Sequence, residues 1–355
     1  MSASTRDAVD RGPRSIVVRR GPLSARLRVR TLAVSAVLGA VVLALAVLAL
    51  SLGDLALTPL QVIAALTGTG DAFTTTVVAE WRLPRVLAAA VFGAALAVSG
   101  GIFQSLTRNP LASPDVIGLS AGSYAGGLGA IILLGASAGS LPVSLGAILG
   151  GMGAAALVYA LSYRRGIQGF RLIVVGIGVA AMLQAFSTYL LLRAKLEVAM
   201  IAAVWGAGSL SPVGWAQFAP AAVLAIVVLV ALFPASRSLT RLEMGDDAAK
   251  ALGIRIERDR LGLVVCAVAL TAVVTAAAGP IAFVALAAPQ IARRLTRSAG
   301  IALAPAALVG SAVLVASDVV AQHVLPTPLP VGLVTVVVGG LYLVFLLINE
   351  SRRRA

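Results

Sequence analysis

Long blocks of apolar residues uninterrupted by charge dominate the chain. Stretches 32–52 and 213–234 contain no Asp, Glu, Lys or Arg, and each is long enough to cross roughly 30 Å of hydrocarbon as a helix. Continuing this pattern predicts ten spans, at 31–52, 83–106, 116–135, 141–163, 171–192, 213–234, 261–278, 280–293, 300–322 and 330–348. The fold class is therefore all-α, a polytopic integral membrane protein with about ten transmembrane helices.

Gly279-Pro280 interrupts one of these blocks, because proline removes a backbone donor and clashes with the preceding turn. It would either kink one long helix or separate two spans. Charge favours two, since Arg258 and Arg260 precede the region and Arg293, Arg294 and Arg297 follow it. Both ends belong on the side of the membrane where basic residues collect.

Composition adds to this picture. Of 355 residues, 59% are hydrophobic and 12% charged, more apolar surface than a single soluble core buries. A net charge of +14 would point to nucleic acid in a soluble protein, but here topology accounts for it. With the N-terminus inside, 24 of the 28 Lys and Arg fall on the cytoplasmic side, leaving Arg82, Arg85, Arg193 and Lys195 outside. Both termini are thus expected in the cytoplasm of a multi-pass inner-membrane protein. The single cysteine, Cys266, excludes an intrachain disulfide and reads as a small buried hydrophobe.

Residues 1–30 are rich in Arg, Ser, Gly and Pro, and read as a mostly disordered basic cytoplasmic tail. About 30 polar residues before a full-length span do not make a typical signal peptide, so the first helix is expected to be retained. The transmembrane domain is expected over 31–349 and a short cytoplasmic tail over 350–355. Small residues recur within spans, as at Gly93 and Gly100 and at Gly146, Gly150 and Gly153, where they let helix backbones approach closely.

No enzymatic constellation stands out. The sole histidine, His323, lies beside Gln322 at a span end, and no phosphate-cradling P-loop is present. Among polar segments, 236–260 is the informative one. Gly245, Asp246 and Asp247 suit a helix start, Ala248, Ala249, Ala251 and Leu252 a short small-residue helix, and Gly253 its stop. Such a helix could lie in a groove on a partner; read from its residues alone, the segment is equally an ordinary solvated connector.

That segment, including Glu243, resembles the coupling helices of FecCD-type permeases from ferric-siderophore and cobalamin ATP-binding cassette (ABC) importers. Other motifs of that family follow in order: Trp81-Arg82-Leu83-Pro84-Arg85; Gln104; Asn109-Pro110-Leu111-Ala112-Ser113-Pro114-Asp115; Trp205-Gly206-Ala207-Gly208; Gly279-Pro280-Ile281; and Pro330-Val331-Gly332. The resemblance covers nearly the whole chain from about residue 31. It implies a type II importer bundle in which two permeases form the path, ATPase subunits bind below and a substrate-binding protein docks above. ATP and Mg would sit on the partner ATPase, with no cofactor in this chain, no nucleic acid bound, and lipid around the bundle. Glu243, Gly245, Asp246, Asp247, Ala251, Leu252 and Gly253 would couple to the ATPase, and Arg82 and Arg85 would dock the binding protein. Asn109, Leu111 and Phe170 would gate the path. Pairing of Arg82 or Arg85 with Glu80, interfacial anchoring and simple loop packing are the plainer roles for these last residues.

The chain also departs from the family pattern. Gln290 follows Pro289 where histidine is common, Gln322 replaces an arginine, Pro328 an acidic residue, and Gly339-Gly340 a glycine-proline pair. Loss of a docking arginine at Gln322 favours a heterodimer with a second, related permease, a homodimer being the alternative. The expected cargo is a ferric siderophore, with cobalamin or haem as alternatives. An ion-coupled secondary transporter would instead place ionisable groups at mid-membrane, whereas the charges here gather at span ends. A scaffold without a transport path is the third reading. Asp318, near the end of the ninth span, suits either a functional acid or an interhelical hydrogen bond.

Overall fold

Every expected span corresponds to a helix in the computed structural model, which describes residues 15–20, 23–115, 117–137, 139–163, 169–243 and 256–354. The chain opens with two antiparallel strands, β1 (Ser15–Arg20) and β2 (Leu23–Arg28), in register Ser15↔Arg28 through Arg20↔Leu23. The basic tail expected to lack structure through residue 30 therefore contains a hairpin. β-Branched Ile16, Val17 and Val18 favour a strand, and this local signal was hidden by the surrounding arginines.

β2 runs directly into α1 (Val29–Ser51). Two helices absent from the expected set come next. The first, α2 (Pro59–Leu66), starts with a reciprocal capping box between Thr58 and Gln61 and has proline in its first turn. The second, α3 (Ala72–Thr76), is capped by the Asp71 carboxylate, which accepts the Thr74 amide at 2.8 Å. A π-helical turn, Val77–Arg82, joins α3 to α4 (Leu83–Thr107).

The remaining helices are α5 (Leu119–Leu134), α6 (Leu141–Ser162), α7 (Gly169–Arg193), α8 (Leu196–Gly206), α9 (Trp215–Glu243), α10 (Ile256–Ala278), α11 (Val284–Thr296), α12 (Leu303–His323) and α13 (Val331–Arg354). Several ends differ from expectation, and α10 begins at Ile256, five residues early. α9 passes Pro234 and continues to Glu243, and α13 extends to Arg354 through most of the expected C-terminal tail. Among the described residues, seven helices are long and apolar enough to cross a membrane, and α5, α8 and the 331–345 part of α13 are shorter apolar helices.

α4 is the hub of the bundle and packs against α9, α10, α11 and α12. Phe92, Leu96, Ile102 and Phe103 on it are almost fully buried. Between helices in lipid the driving force is close packing rather than water exclusion, and the glycines supply it. A methyl group at Gly93 would collide with the Gly310 carbonyl of α12, and one at Gly126 of α5 with the Gly146 carbonyl of α6. Buried hydroxyls complete the contacts: Ser99 donates to the Ala267 carbonyl at 2.7 Å, and Ser311 to the Ala90 carbonyl at 2.7 Å. Cys266 is half-buried and packs against this core.

Candidate functional site

The two ends of α4 carry most of the polar residues singled out in the sequence. At its first end the π-helical turn presents Arg82 to α1, and Arg85 lies three residues farther along. The Arg82 guanidinium donates to the carbonyls of Leu50 and Leu55, both at 2.7 Å. It thereby satisfies the open C-terminal end of α1, where partial negative charge accumulates. Gly53 packs against it, at φ +141°.

Arg85 meets Asp318 of α12 in a fork, Nε to Oδ2 at 2.9 Å and Nη2 to Oδ1 at 2.7 Å. Two parallel charge-assisted bonds of this kind fix orientation as well as energy. The pair is largely sheltered, with side-chain exposures of 21% and 8%, so the interhelical role allowed for Asp318 is the one present. Glu80 is exposed. A cavity of about 370 Å³ opens beside these groups, with Asp54, Trp81, Arg82, Arg85, Asp318 and His323 among its lining residues. Gln322, where the family pattern has arginine, donates to the Leu329 carbonyl at 3.1 Å.

At its other end α4 stops in a left-handed residue, Arg108, at φ +51°. The Asn109 amide bonds back to the Gln104 carbonyl, and the Asn109 side chain accepts the Leu111 amide at 2.9 Å. This is an Asx-type turn that redirects the chain. Leu111 then projects with 43% of its surface exposed, while Ala112, Ser113 and Pro114 are buried. The loop settles on α7, where Ile117 and Gly118 lie against Gly176. Phe170, at the start of α7, is 82% exposed. Asn109 therefore shapes the loop, and of the three residues expected at a gate, Leu111 and Phe170 are left with open side chains.

α7 buries only one stripe, including Leu172, Val179, Ser187 and Leu190. Its open face carries Gln184 and Thr188 among apolar residues. Of the residues expected to couple to an ATPase, Glu243 is the last residue of α9, and Gly245, Asp246, Asp247, Ala251, Leu252 and Gly253 lie outside the described residues.

Two contacts escaped the sequence reading. Gln290 donates to Gln104 Oε1 at 2.7 Å, and Gln104 donates to the Leu286 carbonyl at 2.9 Å. Gln290 was visible as a departure from the family pattern, but its partner lies 186 positions away, beyond any spacing rule. Phe283 belongs to the family motif that begins at Gly279-Pro280, but its contact was likewise not foreseen; it adopts φ +69° and packs on Gly339. Among the described residues no group of three or more His, Cys, Asp and Glu is placed to hold a metal ion.

Residues 30–349 match the FecCD transport family. The chain is 50% identical over 303 residues to the ferric enterobactin transport system permease protein FepG of Escherichia coli (strain K12), covering 85% of this chain and 91% of that protein. It is 36% identical over 314 residues to the iron(3+)-hydroxamate import system permease protein FhuG of Bacillus subtilis (strain 168), covering 86% and 93%. Among solved structures, a metal-chelate type ABC transporter in an inward-facing conformation superposes with a TM-score of 0.80 at 27% identity, covering 89% of this chain and 99% of that one.

Proposed function

Because this chain belongs to the FecCD transport family, we propose that it is the membrane permease subunit of an ABC importer for a ferric siderophore, with ferric enterobactin as the first cargo to test. The relative that is 50% identical over 303 residues is named for that cargo. ATP hydrolysis belongs to a partner ATPase, and this subunit performs no covalent chemistry.

The observation that carries the mechanism is the open face of α7. An exposed glutamine in a membrane-spanning helix is unfavourable against hydrocarbon, where its amide finds no partner. Gln184 therefore faces a hydrated path or a second permease, whereas the Thr188 hydroxyl is satisfied by the Gln184 carbonyl at 3.0 Å. Loop 109–115 and Phe170 lie at one end of that face and are assigned to its cytoplasmic gate. The Arg85 end is then external and receives the binding protein around Trp81, Arg82 and Arg85. Each guanidinium is already bonded within the chain, so docking adds to existing contacts on the exposed faces and sets register more than affinity. The second subunit is assigned to a related permease, because Gln322 here bonds to the Leu329 carbonyl and offers no docking charge. Both termini and the 236–260 loop are cytoplasmic in this arrangement, and the loop transmits ATPase movement to the helices.

The test is uptake by a deletion strain of labelled ferric enterobactin, a ferric hydroxamate, cobalamin and haem. Restoration of ferric siderophore uptake by the intact chain is expected, with loss of at least tenfold on exchanging Asp246 and Asp247 together for Arg. Uptake unchanged by deletion for every cargo would sink the transport assignment. Full uptake by the double variant would remove the coupling role alone.

A further inference from the structure

The Asn109 end of the bundle gathers arginines from three helices. α4 stops at Arg108. α11 is a half-helix of 13 residues, about 20 Å long; it carries Arg293 and Arg294 in its last turn and stops at Arg297. Arg30, in the first turn of α1, donates from Nε to the Leu295 carbonyl at 2.9 Å. The helices α1, α4 and α12 are long and apolar enough to cross a membrane, and each has an end at this level. The guanidiniums therefore lie where hydrocarbon gives way to headgroups.

A cavity of about 270 Å³ opens between the ends of α4 and α11 and the turn before α12. Gln104, Arg108 and Asn109 line it from α4 and its loop, Gln290 and Arg293 from α11, and Gly300 from the turn. Among the described residues that line it, none is acidic. Arg108 and Arg293 are exposed, whereas Gln104 and Gln290 are buried, with 3% and 7% of their surfaces open. The cavity thus has a cationic rim and a buried amide floor.

The floor is fixed by its own bonds, from Gln290 Nε2 to Gln104 Oε1 and from Gln104 Nε2 to the Leu286 carbonyl. An amide nitrogen carries two N–H groups, so each glutamine has one beyond these bonds. Basic side chains near a helix C-terminus also offset its partial negative charge, which is the plainer role for the arginines. That role asks for one charge near each helix end, not for two beside one cavity. Like charges that share a cavity repel unless an anion lies between them. Guanidinium forks with amide N–H groups are the donor set that suits phosphate oxygens.

We propose that this cavity binds a phosphate-type anion, with Arg108 and Arg293 as its clamps and Gln104 and Gln290 as its floor. The headgroup of an acidic phospholipid and free inorganic phosphate share that chemistry. Position favours the lipid. Arg30 brings α1 against the end of α11, and the apolar window of α1 has no buried residue, so this flank of the bundle faces the bilayer. The site depends neither on the cargo nor on transport, and its occupant would tie the 109–115 loop to α11.

The experiment is thermal unfolding of the full chain in detergent with added phosphatidylglycerol, phosphatidylcholine or inorganic phosphate. Phosphatidylglycerol should raise the midpoint by about 4 °C or more, as for a ligand well above its dissociation constant. Phosphatidylcholine has the same phosphate but no net charge and should raise it by less than about 1 °C. Arg108→Gln combined with Arg293→Gln should abolish the gain, read for each protein against its own midpoint in phosphatidylcholine. Arg294→Gln combined with Arg297→Gln removes the same charge from residues outside the cavity lining and should keep at least half of the gain. An undiminished gain in the lining variant overturns the site. Equal losses in the two double variants overturn it too, because diffuse attraction of acidic lipid to a basic surface gives that result. Inorganic phosphate reproducing the gain, with loss in the lining variant, assigns the cavity to a soluble anion; a gain confined to phosphatidylglycerol assigns it to a headgroup. No gain with either anion overturns the site and leaves the arginines as helix-end charges or a contact for a partner protein. If the lining variant does not fold, Arg293→Gln alone replaces it, with at most half of the gain expected and a full gain overturning the proposal.

Discussion

The two ends of α4 treat polar groups in opposite ways. At the Arg85 end the guanidiniums of Arg82 and Arg85, the Asp318 carboxylate and the Gln322 amide all have bonds within the chain, and the Trp215 indole bonds the Ala79 carbonyl at 2.9 Å. At the Asn109 end the non-glycine residues Arg108 and Arg297 adopt left-handed backbone, as does Phe283 at the start of α11. There Asp115 has an oxygen without a hydrogen-bond partner among the described residues, and Leu111 and Phe170 stand open. A membrane protein that alternates access needs one region that keeps its shape and another with more than one arrangement of similar energy. Saturated bonding suits the first and incomplete bonding the second. Substitutions at the two ends should therefore separate stability from transport.

The largest stability effect is expected at Arg85. Arg85→Ala strips the partner from an Asp318 side chain that is only 8% exposed, which costs roughly 3 kcal/mol for a sheltered pair broken on one side. Thermal unfolding of the purified subunit in detergent reads this directly. Replacing both residues, Arg85→Met with Asp318→Leu, should recover stability to within about 1 kcal/mol, because no charge is then left unpaired. If the double variant is as unstable as the single one, the fork is not what holds α4 to α12, and the contrast between the two ends weakens.

Arg82→Ala should cost less, about 1–2 kcal/mol, because two charge-assisted bonds to carbonyls are lost at a partly hydrated site. The loss should be local. Residues 52–57, which connect α1 to α2, should become the first point of limited proteolysis, since the Leu50 and Leu55 carbonyls lose their shared donor. Cleavage elsewhere at an unchanged rate would show that the guanidinium serves docking and not the connector.

Much of this fold was legible because span formation depends on local composition: block length locates a helix. The half-helix after Gly279-Pro280 was legible for the same reason, although its five-residue lead-in was not. The hairpin and the helices α2, α3 and α8 were missed, since none is an apolar block long enough to cross a membrane, even though Thr58-Pro59 followed by Gln61 is a readable capping pattern. Site residues fared differently. Arg82, Arg85, Asn109 and Asp318 were all singled out in the sequence, and Asn109 makes a local turn, but what Arg82 and Arg85 touch depends on segments brought together from 27 to 233 positions apart. Sequence could place Arg85 and Asp318 at span ends; only packing makes them a pair.

The smallest stability effect, and the sharpest test of the contrast, is expected at the open residues of the Asn109 end. Leu111 and Phe170 expose 43% and 82% of their surfaces, so truncation leaves little cavity and gives up few contacts. Leu111→Ala and Phe170→Ala should each shift unfolding by no more than about 0.5 kcal/mol, as for substitutions outside the core. If these side chains close a path, the same variants should let ATP be hydrolysed without proportionate import, which is read as the ratio of ATPase rate to cargo uptake in the reconstituted importer. Normal coupling in both would make them ordinary surface residues. A large stability loss would show instead that the Asn109 end is as firmly built as the Arg85 end, and the division between a fixed and a movable end of α4 would fall.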